Sequence, residues 1–499
     1  MKKILILSAF LITFQMLKAS PGDSIFNMSY IHNLYITFPY PNFYDSLLYT
    51  NTTDEYIAVD INFNGEIYSQ VGIKVKGNSS FNNPSQKKSF KLDFNTFVAG
   101  QDIHGLKKLN FNNSFKDPSF MREKLTNEFL IDHKLPAPRV TYCNVYMNNQ
   151  LWGLYTIVEE IDDEFCWHWF DSNDGNLFKG DPHGTLQWKG SMNQPLYESD
   201  YELKNNSTLN DWSDLISLIN VINNTPDNGL QAALDQKLNT SKFVKQWVAE
   251  NIFVSLDSYI GSGHNYYIYH DTVTDKFQWI AWDNNESFGS FKMNLTSPQL
   301  INLDMYFISS PGARPLCEKM IQNVYYKNLY DMAYCKLRDD FTNAYFDPKI
   351  DSLRPVIQAS VYADPKKFYT NSKFDSSFNY NLVLPGPEGL TVFGLKNFIA
   401  ARAVAIQNSI TNNAVDCSLQ VPEHVLPQNE IILLYPNPVT TGFFIKTEIP
   451  ISDIRLFDLQ GRMLQSFPVN SEYIDVSKFS RGIYLLRIND VIVRKISLQ

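Results

Sequence analysis

The sequence predicts an α+β body followed by a small all-β unit. Residues 54–94 alternate apolar and polar side chains, residues after Asp211 carry apolar side chains at helical spacing, and residues 431–499 contain short strands at regular intervals. A period of two is typical of strands and a period of 3.6 is typical of helices. A sheet-rich part followed by a helix-rich part is an α+β arrangement. A chain of 499 residues also exceeds what one core usually organises.

The first 180 residues are predicted to form mainly antiparallel strands. Two alternating segments flank Asn64-Gly65, and this dipeptide is the strongest short-range signal for a β-hairpin. A helical pattern follows, with Arg122, Glu123 and Lys124 on its polar face. The predicted elements are strands at 57–63, 66–77, 89–94, 139–147 and 153–159, and a helix at 118–131.

The second half of the body is predicted to be helical, with one polar hairpin inside it. Apolar residues recur every three or four positions over most of this region. The hairpin has strands at 265–270 and 276–282, joined by a polar loop. The predicted helices lie at 212–222, 241–256, 315–340, 350–363 and 394–410.

A stretch without helical or strand period separates the body from the last unit. It contains Pro422 and Pro427, which is typical of a linker. The strands that follow are short and divided by turn residues, which predicts a β-sandwich. The predicted division is therefore a signal peptide at 1–20, a body at 21–416, a linker at 417–430 and a sandwich at 431–499.

Composition excludes several classes of function. The net charge is -9 and no dense run of Lys or Arg compensates for it, which argues against binding to nucleic acid. The five cysteines form no Cys-x-x-Cys pair, so structural zinc is not expected. If disulfides form, Cys317 with Cys335 and Cys143 with Cys166 are the pairs nearest in sequence, and buried free thiols are the alternative.

The N-terminus has the pattern of a secretory signal peptide. Two lysines precede an apolar run from Ile4 to Leu17, and Ala19 and Ser20 are small residues at its exit. A membrane-spanning helix needs about 20 apolar residues, and this run is shorter. We expect cleavage after Ala19 or Ser20, which would give a mature protein outside the inner membrane with no transmembrane segment.

Several motifs of the last unit resemble a known export signal. YPNP at 435–438, LFDLQGR at 456–462, IDVS at 474–477 and GIYLLR at 482–487 occur in order. Together they resemble the type A C-terminal sorting domain of type IX secretion. The resemblance implies that residues 431–499 contact the type IX secretion machinery, and that the protein is released or attached at the outer-membrane surface after the tag is removed.

Four blocks of the body resemble the CotH family, the spore-coat-type kinases with an atypical protein-kinase-like, two-lobed fold. The blocks lie at 71–92, 117–125, 153–162 and 257–289, in family order. The resemblance implies an ATP-dependent kinase that uses Mg²⁺ or Mn²⁺. Family members often carry a second Asp two positions after the first in the last block, whereas this chain has Asn285 there.

The last block contains the residue types that phosphoryl transfer needs. An Asp, an Asn, a hairpin and a second Asp before a glycine follow the kinase order of base, metal-binding Asn and metal-binding Asp. By this analogy Asp257 is the candidate base, Asn265 a metal ligand and Asp283 the principal Mg²⁺ ligand. The alternatives are a loop cap, a turn residue and an ordinary strand-end Asp.

A cation is also expected on the nucleotide phosphates. Lys88, near a strand, is predicted to pair with Glu159, since a strand Lys held by a Glu orients nucleotide phosphates in kinases. Lys179 and Lys76 are alternative partners, although a solvated surface Lys is the commoner case. Arg122 and Glu123 fit helix-face charges.

The expected function is an extracytoplasmic protein kinase acting on protein substrates. Scarce ATP outside the cell counts against it. A non-catalytic surface or adhesin-like protein with the same fold is the rival. A polysaccharide hydrolase would need paired carboxylates in an aromatic cleft, for which Asp162, Asp163, Trp167 and Trp169 are the weak candidates.

Overall fold

A computed structural model describes the chain in two compact units, 1–418 and 419–499. The described residues are 20–26, 29–77, 80–310, 312–384, 391–418, 433–435, 439–446, 451–458, 462–469, 473–489 and 492–498. The predicted signal peptide before Ser20 and the predicted linker from residue 419 lie outside them.

The first unit begins with a closed β-barrel. Its strand order is β1-β2-β3-β4-β5-β7-β6, in which β1 and β6 run parallel and the other pairs antiparallel. The predicted hairpin is confirmed, and both Asn64 and Gly65 have positive φ, as its two-residue turn requires. The strands are β1 His32–Thr37, β2 Ile57–Phe63, β3 Glu66–Lys76, β4 Ser89–Asp93, β5 Lys108–Asn112, β6 Val140–Met147 and β7 Gln150–Glu159.

Alternate residues of the barrel strands fill its core. Ile73 and Val75 of β3 and Phe90 and Leu92 of β4 are buried in one apolar cluster. Short helices α1 (Asp23–Phe26) and α2 (Phe43–Thr53) precede and interrupt the barrel, and α3 (Arg122–Asp132) lies between β5 and β6. The strands β1 and β5 were not among the predicted elements.

A second, four-stranded antiparallel sheet follows in the first unit. Its order is β11-β10-β8-β9, so the predicted polar hairpin is confirmed as its β10–β11 pair. The strands are β8 Leu177–Gly180, β9 Glu202–Leu203, β10 Tyr266–Asp271 and β11 Lys276–Ala281.

Helices pack with this sheet around the largest apolar core. The helix predicted over 315–340 is two helices, because the Asn323 side chain accepts from the Tyr325 and Tyr326 amides and starts a new one. These elements are α4 Asp163–Phe170, α5 Ser213–Asn224, α6 Asp227–Lys237, α7 Thr240–Ile252, α8 Ser297–Ile301, α9 Pro315–Gln322, α10 Val324–Asp340, α11 Asn343–Ala363, α12 Asn371–Ser376 and α13 Leu395–Asn412, with the strand pair β12 Leu382–Val383 and β13 Thr391–Val392. None of the described helices has the length and apolar character to span a membrane.

One disulfide joins Cys335 of α10 to Cys417, near the end of the first unit. Neither pair that is nearest in sequence forms. Cys143, Cys166 and Cys317 are instead buried free thiols.

The second unit consists of two antiparallel sheets with one shared apolar core. Their orders are β14-β15-β18 and β17-β16-β19-β20. The prediction of an α+β chain with a β-rich end is therefore confirmed, and β17 is an additional strand. The elements are β14 Leu433–Tyr435, β15 Gly442–Lys446, β16 Ile454–Phe457, β17 Met463–Phe467, β18 Tyr473–Asp475, β19 Gly482–Ile488 and β20 Ile492–Leu498.

Candidate active site

The loop between α7 and β10 carries Asp257 and Asn265. Helix α7 ends at Ile252, so Asp257 does not close a helix as its sequence context suggested but lies within the loop. Asn265 has a φ of 60° and donates its side-chain amide to the Asp257 carbonyl oxygen at 3.0 Å. His264 Nε2 lies 3.4 Å from Asp257 Oδ1. The left-handed turn at Asn265 therefore brings both candidate residues together.

Buried polar groups hold this loop in place. Glu250 of α7 accepts a hydrogen bond from the Ser258 hydroxyl at 2.8 Å. The guanidinium of Arg314 is buried and donates to the Tyr259 and Gly261 carbonyl oxygens. Burial raises the pKa of Glu250 to about 7.

Asp283 lies two residues after the end of β11 and has a φ of 57°. Among the described residues, none donates a hydrogen bond to its carboxylate. Burial raises the pKa of Asp283; the positive charges of Lys76 and Lys179 oppose the rise, and the negative charge of Asp257 adds to it. The Trp282 amide donates to the Asn265 carbonyl oxygen at 3.3 Å. Asp257, Asn265, Asp283 and Lys179 are therefore neighbours.

Lys76, at the end of β3, is the partly buried cation of this group. Its Nζ donates to Asn110 Oδ1 at 2.9 Å and lies 5.4 Å from the centroid of the Trp282 ring. Burial, and then the charge of Lys91, lower the pKa of Lys76 to about 8. Lys76 therefore has an amide partner, and its positive charge remains available to an anion.

Glu123 of α3 is the buried carboxylate that the sequence did not single out as functional. Burial, and then the negative charge of Asp283, raise the pKa of Glu123 to about 8, while Lys76 opposes the rise. Asn112 donates to its Oε2 at 2.9 Å. The interpretation of Glu123 as a solvated helix-face charge is wrong, because only 6% of the residue is exposed.

Arg122 is buried as well, and it belongs to the packing of α3 against the loop after β11. Its guanidinium donates to the Ser287 carbonyl oxygen at 3.3 Å and lies 3.4 Å from Asp117 Oδ1. On the same helix, Thr126 and the Ser287 hydroxyl are 2.7 Å apart. The polar face of α3 therefore contacts the segment that carries Asp283 and does not face solvent.

The predicted ion pair between Lys88 and Glu159 does not form. Lys88 Nζ donates to the Phe81 carbonyl oxygen at 2.7 Å and to the Asn83 carbonyl oxygen, so it closes a local loop. Glu159 is buried against Arg139, whose Nε donates to it at 3.0 Å. Both charges are satisfied by these other partners.

Lys179 lies on β8, opposite Tyr267 of β10. Its Nζ is 2.5 Å from Asp181 Oδ2, and its positive charge opposes the rise in the pKa of the Asp283 carboxyl group. It is a second cation near the candidate metal ligand. Of the two carboxylates considered for a hydrolase, Asp162 caps α4 by accepting from the Glu164 and Phe165 amides, and Asp163 accepts from the Asn205 side chain at 3.1 Å.

A small divalent cation fits the oxygen atoms present. The carboxylate of Asp283 and the amide oxygen of Asn265 accept no hydrogen bond from the described residues. In the described part of the chain, no three or more His, Cys, Asp or Glu side chains are grouped to hold a metal ion. Mg²⁺ commonly takes one or two protein ligands and completes its shell with water and phosphate oxygens. Asp283 and Asn265 are the residues that would hold such a cation.

Glu286, three residues after Asp283, is tied to Lys116 at 2.8 Å. Burial raises the pKa of Glu286 to about 7, Lys116 opposes the rise, and Asp257 and Asp283 add to it. Glu286 therefore lies in the same group of charges, but its carboxylate is already paired.

Comparison with known proteins identifies a family for most of the first unit. Residues 73–382 match the family described as CotH kinase protein. The inner spore coat protein H of Bacillus subtilis (strain 168) is 24% identical over 294 residues, which are 58% of this chain and 78% of that protein. Invasin CotH3 of Rhizopus delemar is 22% identical over 353 residues, which are 63% of this chain and 56% of the invasin. This chain thus spans just over half of the invasin's length.

Residues 433–497 match the secretion system C-terminal sorting domain. This domain marks the protein as secreted or cell-surface and implies contact with the type IX secretion machinery. Since the first match covers more than half of the sequence, the chain belongs to the CotH kinase protein family.

Proposed function

We propose that this chain is a secreted or cell-surface protein kinase that transfers the γ-phosphate of ATP to Ser or Thr of extracytoplasmic proteins. One observation carries the proposal: Lys76, Glu123 and Asp283 lie close together, so that Lys76 and Asp283 both alter the pKa of Glu123, and Lys76 and Asp283 alter the pKa of each other. A strand Lys, a helix Glu and a metal-binding Asp are the three charged groups that kinases assemble around the nucleotide. Membership of the family supports the same reading.

Each residue has a role in this proposal. Asp257 orients the acceptor hydroxyl and takes its proton, and Asn265 and Asp283 hold the divalent cation, Mg²⁺ or Mn²⁺. Lys76 binds the nucleotide phosphates, Asn110 positions its ammonium group, and Glu123 is the nearby helix carboxylate whose charge acts on Lys76. In a kinase-like, two-lobed arrangement the barrel supplies Lys76, and the helical part with its four-stranded sheet supplies the other catalytic groups.

The chemistry that the chain itself supplies is positioning and charge. Bound ATP with its cation supplies the phosphoryl group and shields its negative charge. Lys76 places a positive charge at the phosphates in a poorly solvated position, where it stabilises developing charge more strongly than in water. Asp257 keeps its carboxylate near the incoming hydroxyl, with His264 beside it.

The test is phosphorylation by the purified chain from Ser20 onward. The protein is incubated with γ-labelled ATP, Mn²⁺ or Mg²⁺ and a generic protein acceptor, beside Asp283→Asn and Asp257→Asn variants. We expect incorporation to fall by roughly 100-fold or more in both variants, because each removes a group used in the transition state. Labelling that is equal in wild type and variants would refute the kinase assignment.

A second candidate function is a non-catalytic surface protein with the kinase-family fold. The similarity to a protein named as an invasin favours it, as does Asn285 in place of the second Asp. In this case the chain binds no ATP even with Mn²⁺ present. Isothermal titration with a non-hydrolysable ATP analogue separates the two functions, because the kinase proposal requires binding that Asp283→Asn weakens.

A further inference from the structure

The first described residues of the chain are packed onto the β-barrel. Ile25 and Phe26 of α1 are buried in the barrel core. The Gly22 amide donates to the His104 carbonyl oxygen at 2.8 Å. The guanidinium of Arg139 lies 4.9 Å from the centroid of the Phe26 ring. The segment that follows the predicted leader is therefore part of the folded body.

Ser20 and Asp23 form two reciprocal hydrogen bonds. The Ser20 nitrogen donates to Asp23 Oδ2 at 2.8 Å, and the Asp23 amide donates to the Ser20 carbonyl oxygen at 3.0 Å. The two bonds close a turn directly before α1, in which Gly22 accepts from the Ile25 and Phe26 amides. Ser20 is therefore part of the turn that leads into α1.

The charged side chains around Ser20 and Asp23 include more carboxylates than cations. Arg139 lies between two carboxylates, at 2.9 Å from Asp23 and also paired with Glu159. An adjacent cavity of about 590 Å³, lined by Ser20, Asp23, His168 and Asp171 among others, adds a third carboxylate. Burial and the charge of Arg139 lower the pKa of His168, so this ring adds little positive charge at neutral pH. Arg139 thus pairs with two carboxylates, and the cavity beside them is lined by a third, Asp171, and by His104 and His168.

We propose that the mature chain begins at Ser20, and that its new α-ammonium group forms an ion pair with Asp23. The proposal rests on the predicted signal peptide and is independent of kinase activity. Hydrolysis by a leader peptidase breaks the bond between the Ala19 carbonyl carbon and the Ser20 nitrogen. Water supplies the oxygen of the Ala19 carboxylate, and the Ser20 amine takes up a proton. The ammonium group stands where the Ser20 amide already donates to Asp23.

Cleavage one residue later does not suit this structure. It would remove Ser20, and both reciprocal hydrogen bonds would be lost. The Asp23 amide would lose its acceptor at the start of the helix, where backbone donors need a partner. The fold therefore favours Ala19–Ser20 over the other site that the sequence leaves open.

The cleavage site is tested by expressing the full chain with its own leader in a Gram-negative bacterial host. The exported protein is purified from the periplasm, and its N-terminus is sequenced. We expect Ser20 as the first residue. An N-terminus at Pro21 or elsewhere, or an uncleaved leader, would overturn the proposed processing.

The ion pair is tested by titration of the α-amine in protein that begins at Ser20. Reductive methylation with ¹³C-formaldehyde labels the amine and retains its charge, so that NMR reports its pKa. We expect a pKa above the ordinary value of about 7.7–8.0 in wild type, because Asp23 stabilises the ammonium form. Asp23→Asn should return the pKa to the ordinary range, whereas the exposed Asp211→Asn should not change it. An equal pKa in wild type and Asp23→Asn would exclude the ion pair.

Discussion

An uncharged amide holds the ammonium group of Lys76. Asn110 accepts from Lys76 and donates to Glu160 at 2.6 Å, and Lys91 forms the ion pair with Glu160 at 2.6 Å. Since the positive charge of Lys91 balances the negative charge of Glu160, this carboxylate does not compete strongly for Lys76. The pKa of Glu160 is held at about 2 by these cations and hydrogen bonds despite burial, so it stays ionised at neutral pH. Lys76 is thus positioned without losing its capacity to bind phosphate.

Replacing Lys76 and replacing Lys88 should have different effects on catalysis. We expect Lys76→Met to lower kcat/KM for ATP by roughly 100-fold, because it removes the cation at the phosphates. Lys88→Met is the matched control, since Lys88 bonds only to carbonyl oxygens of its own loop among the described residues. The measurement is steady-state kinetics with varied ATP. A larger loss in Lys88→Met than in Lys76→Met would contradict the assignment of Lys76.

The sequence predicted an ion pair between Lys88 and Glu159, which does not form, and gave Lys76 only as an alternative. Lys76 ends strand β3 and Lys88 directly precedes strand β4, at the two ends of one loop. The local sequence pattern therefore does not show which of the two has a functional role. What distinguishes them is the partner across the barrel, Asn110, which is 34 residues away from Lys76. For Glu123 a weak signal existed: Asn127 lies four positions later on the same helical face, and both polar residues are buried.

At the scale of the element, the loop between α7 and β10 depends on a buried acid. Glu250 accepts from Ser258, one residue after Asp257. The folded-state pKa of Glu250, about 7, exceeds its ordinary value of 4.5, so the folded state binds this proton more tightly than the unfolded state. The resulting stabilisation is complete below pH 4.5 and is lost as pH rises to 7.

Glu250→Gln should therefore flatten the dependence of stability on pH. Between pH 4.5 and 7 the wild type should lose up to about 3 kcal/mol of its free energy of unfolding through this group, and the variant should not. Urea unfolding at pH 5 and pH 7.5 measures the difference, with the exposed Glu198→Gln as control. Identical pH slopes in wild type and Glu250→Gln would show that Glu250 does not titrate as described.

Elements with strong local signals were predicted, and those that depend on distant partners were not. The Asn64-Gly65 hairpin and the β10–β11 hairpin each pair segments that are neighbours in sequence. The alternation of apolar and polar side chains was therefore sufficient to predict them. Strand β5 has five residues and pairs with β7 across an intervening helix. Strand β1 pairs with β6 in parallel, and no local turn reveals such a pair.

At the scale of the whole molecule, the disulfide closes a long segment of the first unit. Cys335 and Cys417 are 82 residues apart. For a closed loop of this size the chain-entropy estimate is about 4 kcal/mol of stabilisation. Cys417→Ala should lower Tm by several degrees in a thermal scan. A reducing agent should lower the Tm of the wild type but not that of Cys417→Ala, and equal Tm values for the oxidised wild type and the variant would contradict the prediction.

The division of the chain into a body and a sorting domain could be predicted from the sequence, because it depends on composition and on short family motifs. The sorting domain and the family blocks occupy contiguous segments, and matches at 73–382 and 433–497 confirm both. The closure of the barrel and the Cys335–Cys417 bond were not readable, because each joins residues that are far apart along the chain. The roles of Asp257, Asn265 and Asp283 stay predictions until activity is measured.

The parallel pairing of β1 with β6 also sets an order of events for an exported chain. Asn33 pairs with Asn144, so the barrel cannot close until more than 100 residues beyond β1 have crossed the membrane. Until then β1 presents an open edge with unpaired backbone groups, which is a template for aggregation. The barrel can therefore be completed only after its last strand, which ends at Glu159, has crossed, and the N-terminal strand must be kept from other chains during that interval.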